Sequence, residues 1–281
     1  MSTEQTLPRR VPAGRIAAEI GLAVCALLFL APVLFTLATS LKDPGEVFQP
    51  KLFGATLHWH NYVEVFTYNP FQIYIRNGLI VAGLGTLLVV ATAALSGYAF
   101  ASLRWRGRDR LFLLYLATLM IPQEVLVVPM YLLMQRLGWI NTFQALIVPW
   151  AFTAFGTFLL RQFYRGIPYE LQEAARIDGC GPFRTFWNIM VPIARPALAV
   201  LAVWTFITYW NSFLWPLVVI NDVNALGTVP IGLQLFFGEH GNAWHLVMAA
   251  SVVSMAPTLL LVLALQKHLV KGIATAGLGG R

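Results

Sequence analysis

The chain has 281 residues, 58% of them apolar and only 11% charged, whereas soluble domains run about 45–50% apolar and about 25% charged. That balance excludes an ordinary soluble globule. The net charge of +7 would suit a nucleic-acid binder, but in a chain this apolar a basic excess reports membrane topology instead.

The first fifteen residues carry Arg9, Arg10 and Arg15 ahead of an apolar run. No small-residue cleavage pattern follows, so the run reads as an uncleaved first span. Six spans are expected in all, at about 16–39, 77–101, 111–134, 143–164, 197–220 and 244–266, because crossing about 30 Å of hydrocarbon takes roughly 20 apolar residues. Each is expected to be helical, since an unpaired backbone amide in lipid costs several kcal/mol. The connections then fix the orientation. With the N-terminus inside, 15 of the 19 Lys and Arg residues fall on the inner side, which is the cytoplasmic pattern. The expected fold is therefore an all-α integral membrane domain over 16–266, with both the 1–15 segment and the 267–281 tail in the cytoplasm. No internal repeat or composition shift marks a second domain.

Between spans one and two, the outer connection over 40–76 holds Lys42, Lys51, Trp59, Tyr62, Tyr68 and Tyr74, residues suited to an interfacial segment. Span two carries Ala93, Ala94, Ser96 and Gly97, the small residues of a close helix-packing face. In span three, Glu124 follows Met120-Ile121-Pro122-Gln123, and Pro129 comes five residues later. A carboxylate at membrane depth marks either a pathway or a partner for carbonyls freed by proline.

The loop over 165–196 is unlike a plain connection. Pro168 can open a helix that runs through Glu170, Glu173 and Arg176, acids first and base last, in accord with the helix dipole. Gly179 to Pro182 ends it, and Phe183, Phe186, Trp187 and Met190 then repeat at helical spacing. Two short helices about a glycine elbow can fit a groove in a soluble partner or lie on lipid headgroups.

Span five offers Thr205, Thr208, Tyr209, Trp210, Asn211 and Ser212. Aromatic faces with a few polar groups suit sugar rings, although Ser, Thr and Asn also bind helices to one another. The outer connection over 221–243 is long and lacks Lys and Arg; loops of this length are often functional. The two cysteines, Cys25 and Cys180, imply no disulfide framework. The five histidines have no metal-ligand spacing, no GxxxxGK[ST] phosphate loop occurs, and no catalytic triad is supported by spacing. The energy for any transport must come from elsewhere.

The string Glu173-Ala174-Ala175, three residues, Gly179, nine residues, Ile189, one residue, Val191-Pro192 resembles the "EAA" loop of ABC-importer permeases, with Val191 in place of the usual leucine. The run Trp210-Asn211-Ser212-Phe213-Leu214-Trp215-Pro216 and the glycine-rich tail after Lys271 are similar to the maltose-type carbohydrate class. The resemblance implies a non-catalytic permease subunit in a prokaryotic inner membrane, with no cofactor of its own. It implies a second, homologous permease in a heterodimer, two ATPase subunits that hold ATP-Mg, and an extracytoplasmic solute-binding protein. It also implies that Glu173, Ala174, Ala175, Arg176, Asp178 and Gly179 form a coupling helix docked on an ATPase. It further implies that residues 272–281 of the tail contact the ATPases and that the 221–243 loop reaches the binding protein. Glu124, Tyr209 and Asn211 are the pathway candidates, for a sugar or, alternatively, a polyol phosphate such as glycerol phosphate. The competing class, an ion- or proton-coupled secondary transporter, calls for inverted repeats and several intramembrane acids.

Overall fold

A computed structural model describes residues 13–238 and 241–278. Arg9, Arg10, Glu239, His240 and 279–281 lie outside the described residues, as do the tail's side chains from 268 onward. The helices are α1 (Ala13–Ser40), α2 (His60–Tyr68), α3 (Phe71–Ser102), α4 (Arg108–Ala117), α5 (Gln123–Arg136), α6 (Phe143–Ile147), α7 (Ala154–Arg165), α8 (Glu170–Ile177), α9 (Pro182–Thr185), α10 (Val191–Ile193), α11 (Arg195–Trp210), α12 (Leu214–Val219), α13 (Val223–Leu226), α14 (Val229–Gln234) and α15 (Trp244–Leu278). Two strands of two residues, Phe237–Gly238 and Gly241–Asn242, are the non-helical elements.

Three single helices are long and apolar enough to cross a membrane: Ala18–Ser40, Phe71–Ser102 and Trp244–Lys267. Three further candidates are bent pairs, so the chain has up to six spans if each pair is one. The span expected over 111–134 is broken by 100° between Met120 and Gln123. Pro122 is the cause: it holds Ile121 extended, at φ −87° and ψ 115°, because proline crowds a helical predecessor. Pro129, by contrast, sits within α5 without breaking it. The 143–164 span bends by 45° at extended Thr153.

The fifth span differs most from expectation. It does not run from 197 to 220; α11 stops at Trp210, and α12 begins only at Leu214. At its other end α11 follows the Pro182–Ile193 segment after a 77° bend, where Pro192 and Pro196 flank Ala194. The second span extends further than expected, and Tyr74 belongs to α3, fully buried, instead of to an interfacial loop.

The chain divides into two compact units. The first comprises 1–65 and 240–253. In it Lys42 is buried, with its ammonium donating to the carbonyls of Lys51 at 2.6 Å and Gln49 at 3.5 Å. Asn61 donates to the carbonyls of Ser40 and Lys42, both at 2.9 Å. Lys42 thus serves as a staple within its own connection.

The second unit comprises 66–239 and 254–281. Its core is the packing of α3, α7 and α11 around Ala93, Ala94, Leu160, Tyr164, Met190 and Leu201. Small residues permit the close approach: a Cβ on Gly97 would come within 2.9 Å of Leu160, and one on Gly156 within 3.0 Å of Ala93. Ser96 and Thr157 share a 2.7 Å hydroxyl hydrogen bond across the same seam. The 221–238 part of the expected long loop is structured. Asp222 caps α13 by accepting from the Ala225 amide, and Asn77 donates to the carbonyls of Ala225 and Gly227. The Tyr74 ring is wedged between Gly227 and Gly232, where any added Cβ would strike it.

Candidate functional site

The segment after α7 is built from strict local rules. Pro168 turns the chain, and the Leu171 amide bonds to the Pro168 carbonyl. Glu170 and Glu173 stand in the first turn of α8 and Arg176 in its last, which matches the helix dipole. The helix then ends in a Schellman motif: the Cys180 amide bonds the Ala175 carbonyl at 2.8 Å and the Gly179 amide bonds the Arg176 carbonyl at 3.0 Å. Gly179 supplies the left-handed residue this requires, at φ +74°, where a side chain is disfavoured. Pro182 at the first position of α9 starts the next helix in the other direction.

Of the six expected docking residues, Glu173, Ala174, Arg176, Asp178 and Gly179 are exposed. Ala175 faces inward and is only 4% exposed, alongside buried Gln172. Its small side chain lets α8 sit close on the rest of the unit. Beside the charged residues, Leu171, Ile177, Phe183 and Trp187 present apolar surface, Ile177 at 86% exposure. The sequence pattern puts Phe183, Phe186, Trp187 and Met190 on one face, but the structure splits them. Phe186 and Met190 are buried while Phe183 and Trp187 point outward. A π-helical turn over Phe186–Met190 widens the spacing, and π-turns recur at functional sites.

This exposed knob is tied to the helices above it. Tyr98 of α3 donates from its hydroxyl to the Pro182 carbonyl at 3.1 Å. Its ring packs at 5.3 Å from that of Phe186 and 6.2 Å from that of Tyr164. Two guanidinium groups lie near the Tyr169 ring, Arg104 at 5.6 Å and Arg176 at 5.8 Å from its centroid, and Arg176 also donates to its hydroxyl at 3.0 Å. Arg161 of α7 pairs with Asp109 at 3.0 Å, donates to the Phe100 carbonyl and sits 3.9 Å over the Phe112 ring. The knob and the connection between α3 and α4 therefore share aromatic and cationic contacts.

A second feature is an open cavity of about 470 Å³ among α3, α5, α7, α11 and α12. Glu124 and Tyr209 both line it, together with Gln123, Thr205, Thr208 and Ser212. Aromatic rings complete the wall, notably Trp204, which is 60% exposed and packs 5.9 Å from Phe155. Tyr209 donates to the Ile147 carbonyl at 2.9 Å, and its ring covers Gly85 so closely that no Cβ would fit there. Trp215 donates to the Ala145 carbonyl at 2.8 Å. Asn211, the third pathway candidate, does not line this cavity; it ends α11, its amide bonded to the Ile207 carbonyl. Gln123, Trp204 and Phe155 went unnamed in the sequence reading. Thr208 follows Trp204 by four residues, the spacing that puts two side chains on one helix face, and that signal pointed to the tryptophan. Among the described residues no group of three or more His, Cys, Asp or Glu side chains comes together.

Comparison with known proteins agrees with this architecture. Residues 89–275 match the family described as binding-protein-dependent transport system inner membrane component. The chain is 33% identical over 270 residues to the arabinooligosaccharides transport system permease protein AraQ of Halalkalibacterium halodurans, covering 93% of this chain and 95% of that one. It is 35% identical to the trehalose/maltose transport system permease protein MalG of Thermococcus litoralis, covering 95% and 97%. It is 34% identical to the sn-glycerol-3-phosphate transport system permease protein UgpE of Pectobacterium atrosepticum, covering 92% and 95%. A solved chain of a bacterial ABC transporter that imports the acidic polysaccharide alginate shares the fold, with a TM-score of 0.80 over 94% of this chain at 22% identity.

Proposed function

This chain belongs to the family of binding-protein-dependent transport system inner membrane components, and from that premise we propose that it is a permease subunit of an ABC importer for a sugar or sugar-like solute. It spans the inner membrane six times, each bent pair counting as one span, with both termini in the cytoplasm. It pairs with a second permease, two ATPase subunits and an extracytoplasmic binding protein. ATP and its magnesium belong to the ATPases, and this chain performs no chemistry on them.

The observation that carries the reading is the α8–Gly179–α9 knob. A short helix with exposed charges and small residues, ended by a Schellman glycine and flanked by outward Ile177, Phe183 and Trp187, is shaped for a protein groove. Glu173, Ala174, Arg176, Asp178 and Gly179 form its outer contact surface, and Ala175 sets its seat. When the ATPases close, they move this knob. Tyr98, Tyr164 and Phe186 pass the movement to α3 and α7, and the bent helices rock about the cavity that Glu124 and Tyr209 line. Residues 272–281 of the tail add a second contact with the ATPases, and the 221–243 segment meets the binding protein.

The test is solute uptake into proteoliposomes by the transporter purified with its own partners. Uptake should require both ATP and the binding protein. Uptake driven by a proton or sodium gradient without ATP would instead make the chain a secondary transporter.

A further inference from the structure

We infer that the cavity passes neutral or amino-bearing saccharides and turns away anionic ones, with Glu124 as the residue that sets this selectivity. The inference rests on the importer reading above, because it takes the cavity as part of the solute path.

The charge inventory of the wall is lopsided. Glu124 is its single acidic side chain, and no Lys, Arg or His is among the described residues that line it. A path for phosphate or uronate groups needs the opposite, since such anions are held by Arg, Lys or clustered backbone amides. The carboxylate is also well placed to act on a passing solute. It stands in the first turn of α5, immediately after the 100° break at Pro122. Among the described residues no cation pairs with it, and it is exposed on the cavity side. A carboxylate at the start of a helix is favoured by the helix dipole. Low-dielectric walls then extend the reach of its field, as they do in charged clefts generally.

The remaining wall chemistry fits uncharged rings with hydroxyl edges. Trp204 and Phe155 offer broad apolar faces, while Gln123, Thr205, Thr208 and Ser212 offer donors and acceptors at close intervals. Glu124 can accept hydrogen bonds from sugar hydroxyls or pair with an ammonium. It has nothing to offer a phosphate but repulsion. The relatives named above include permeases of both arabinooligosaccharide and glycerol-phosphate systems, and the charge of this wall places the present chain with the former.

The test measures the path directly, without knowing the solute. A single reporter cysteine, Thr208→Cys, is placed in the transporter complex with Cys25 and Cys180 changed to serine. Its modification is timed with two methanethiosulfonate reagents of similar size, one bearing trimethylammonium and one bearing sulfonate, each normalised to its rate with free glutathione. One unit charge on the wall should favour the cation by about fivefold or more. Glu124→Gln should bring the ratio close to one, and Glu124→Lys should invert it. A ratio near one in the wild-type background, or one that Glu124→Gln leaves unchanged, overturns the inference. Labelling rates that do not respond to ATP would count against the importer reading and leave the charge result standing.

Discussion

The Tyr98 hydroxyl donates to the Pro182 carbonyl across 3.1 Å, joining the end of a membrane-crossing helix to the start of the second helix of the knob. In the proposed mechanism, residue 98 is the point where motion of the loop becomes motion of a span. Tyr98→Phe removes this hydrogen bond alone and should cost about 0.5–1.5 kcal/mol. Tyr98→Ala also removes a ring packed on Phe186 and Tyr164 and should cost about 3–5 kcal/mol. The informative readout is the ratio of solute transported to ATP hydrolysed. Tyr98→Phe should lower that ratio while the complex still assembles.

Gly179 carries the turn that closes α8. At φ +74°, Gly179→Ala places a side chain in the left-handed region, at a cost of about 1–2 kcal/mol. Gly179→Pro is incompatible with that φ and also loses the amide bonded to Arg176, so it should cost about 3 kcal/mol or more. Thermal unfolding of the purified complex should rank wild type above Ala and Ala above Pro. Co-purification of the ATPase should fall in the same order. Full ATPase recovery with the proline variant would separate the turn from docking.

Arg161 and Asp109 form an asymmetric pair: the arginine side chain is 8% exposed and the aspartate 65%. Removing the exposed partner should do little, because Arg161 keeps the Phe100 carbonyl and the Phe112 ring. Arg161→Met removes the charge and the carbonyl hydrogen bond together. Asp109→Asn should therefore melt close to wild type and Arg161→Met clearly lower. Equal losses from both would mean that the ion pair, not the packing, holds α4 to α7.

Gly85 makes room for Tyr209, whose ring would lie 2.6 Å from an added Cβ. Gly85→Ala should displace the ring from the Ile147 carbonyl and reshape the cavity wall, with about 1–3 kcal/mol lost to overpacking. Transport should fall by more than stability accounts for. Pairing Gly85→Ala with Tyr209→Phe should not restore it, because the phenyl ring meets the same methyl group. Tyr209→Leu should restore it in part.

Much of the knob was legible in the sequence because its signals are local. Proline, an acidic first turn, a basic last turn and glycine each act within a few residues, so α8 and its end could be read directly. The inward direction of Ala175 and the split of Phe183 and Trp187 from Phe186 and Met190 were not legible. They depend on a π-turn and on which side meets α3 and α7, and a four-residue spacing does not encode that. The break at Pro122 was readable from proline chemistry, but the end of α11 at Trp210 was not. Hydropathy resumes over Leu214–Val219 and carries an apolar count past the stop, while Pro216, with no amide to offer the Ser212 carbonyl, works against a continuous helix and α12 packs on α5 and α6. Asn211 was chosen on residue type, and the same helix end turns it off the cavity wall.

The central claim is that the outer face of α8 is the transmission contact. Its most direct test is a photo-crosslinking amino acid at Ala174, an exposed position, in the complex held in lipid nanodiscs. A crosslink to the ATPase subunit is expected, with a yield that changes between the nucleotide-free and ATP-bound states, and none from the same probe at Ala175. Crosslinks confined to lipid, or equal from the two positions, would contradict it.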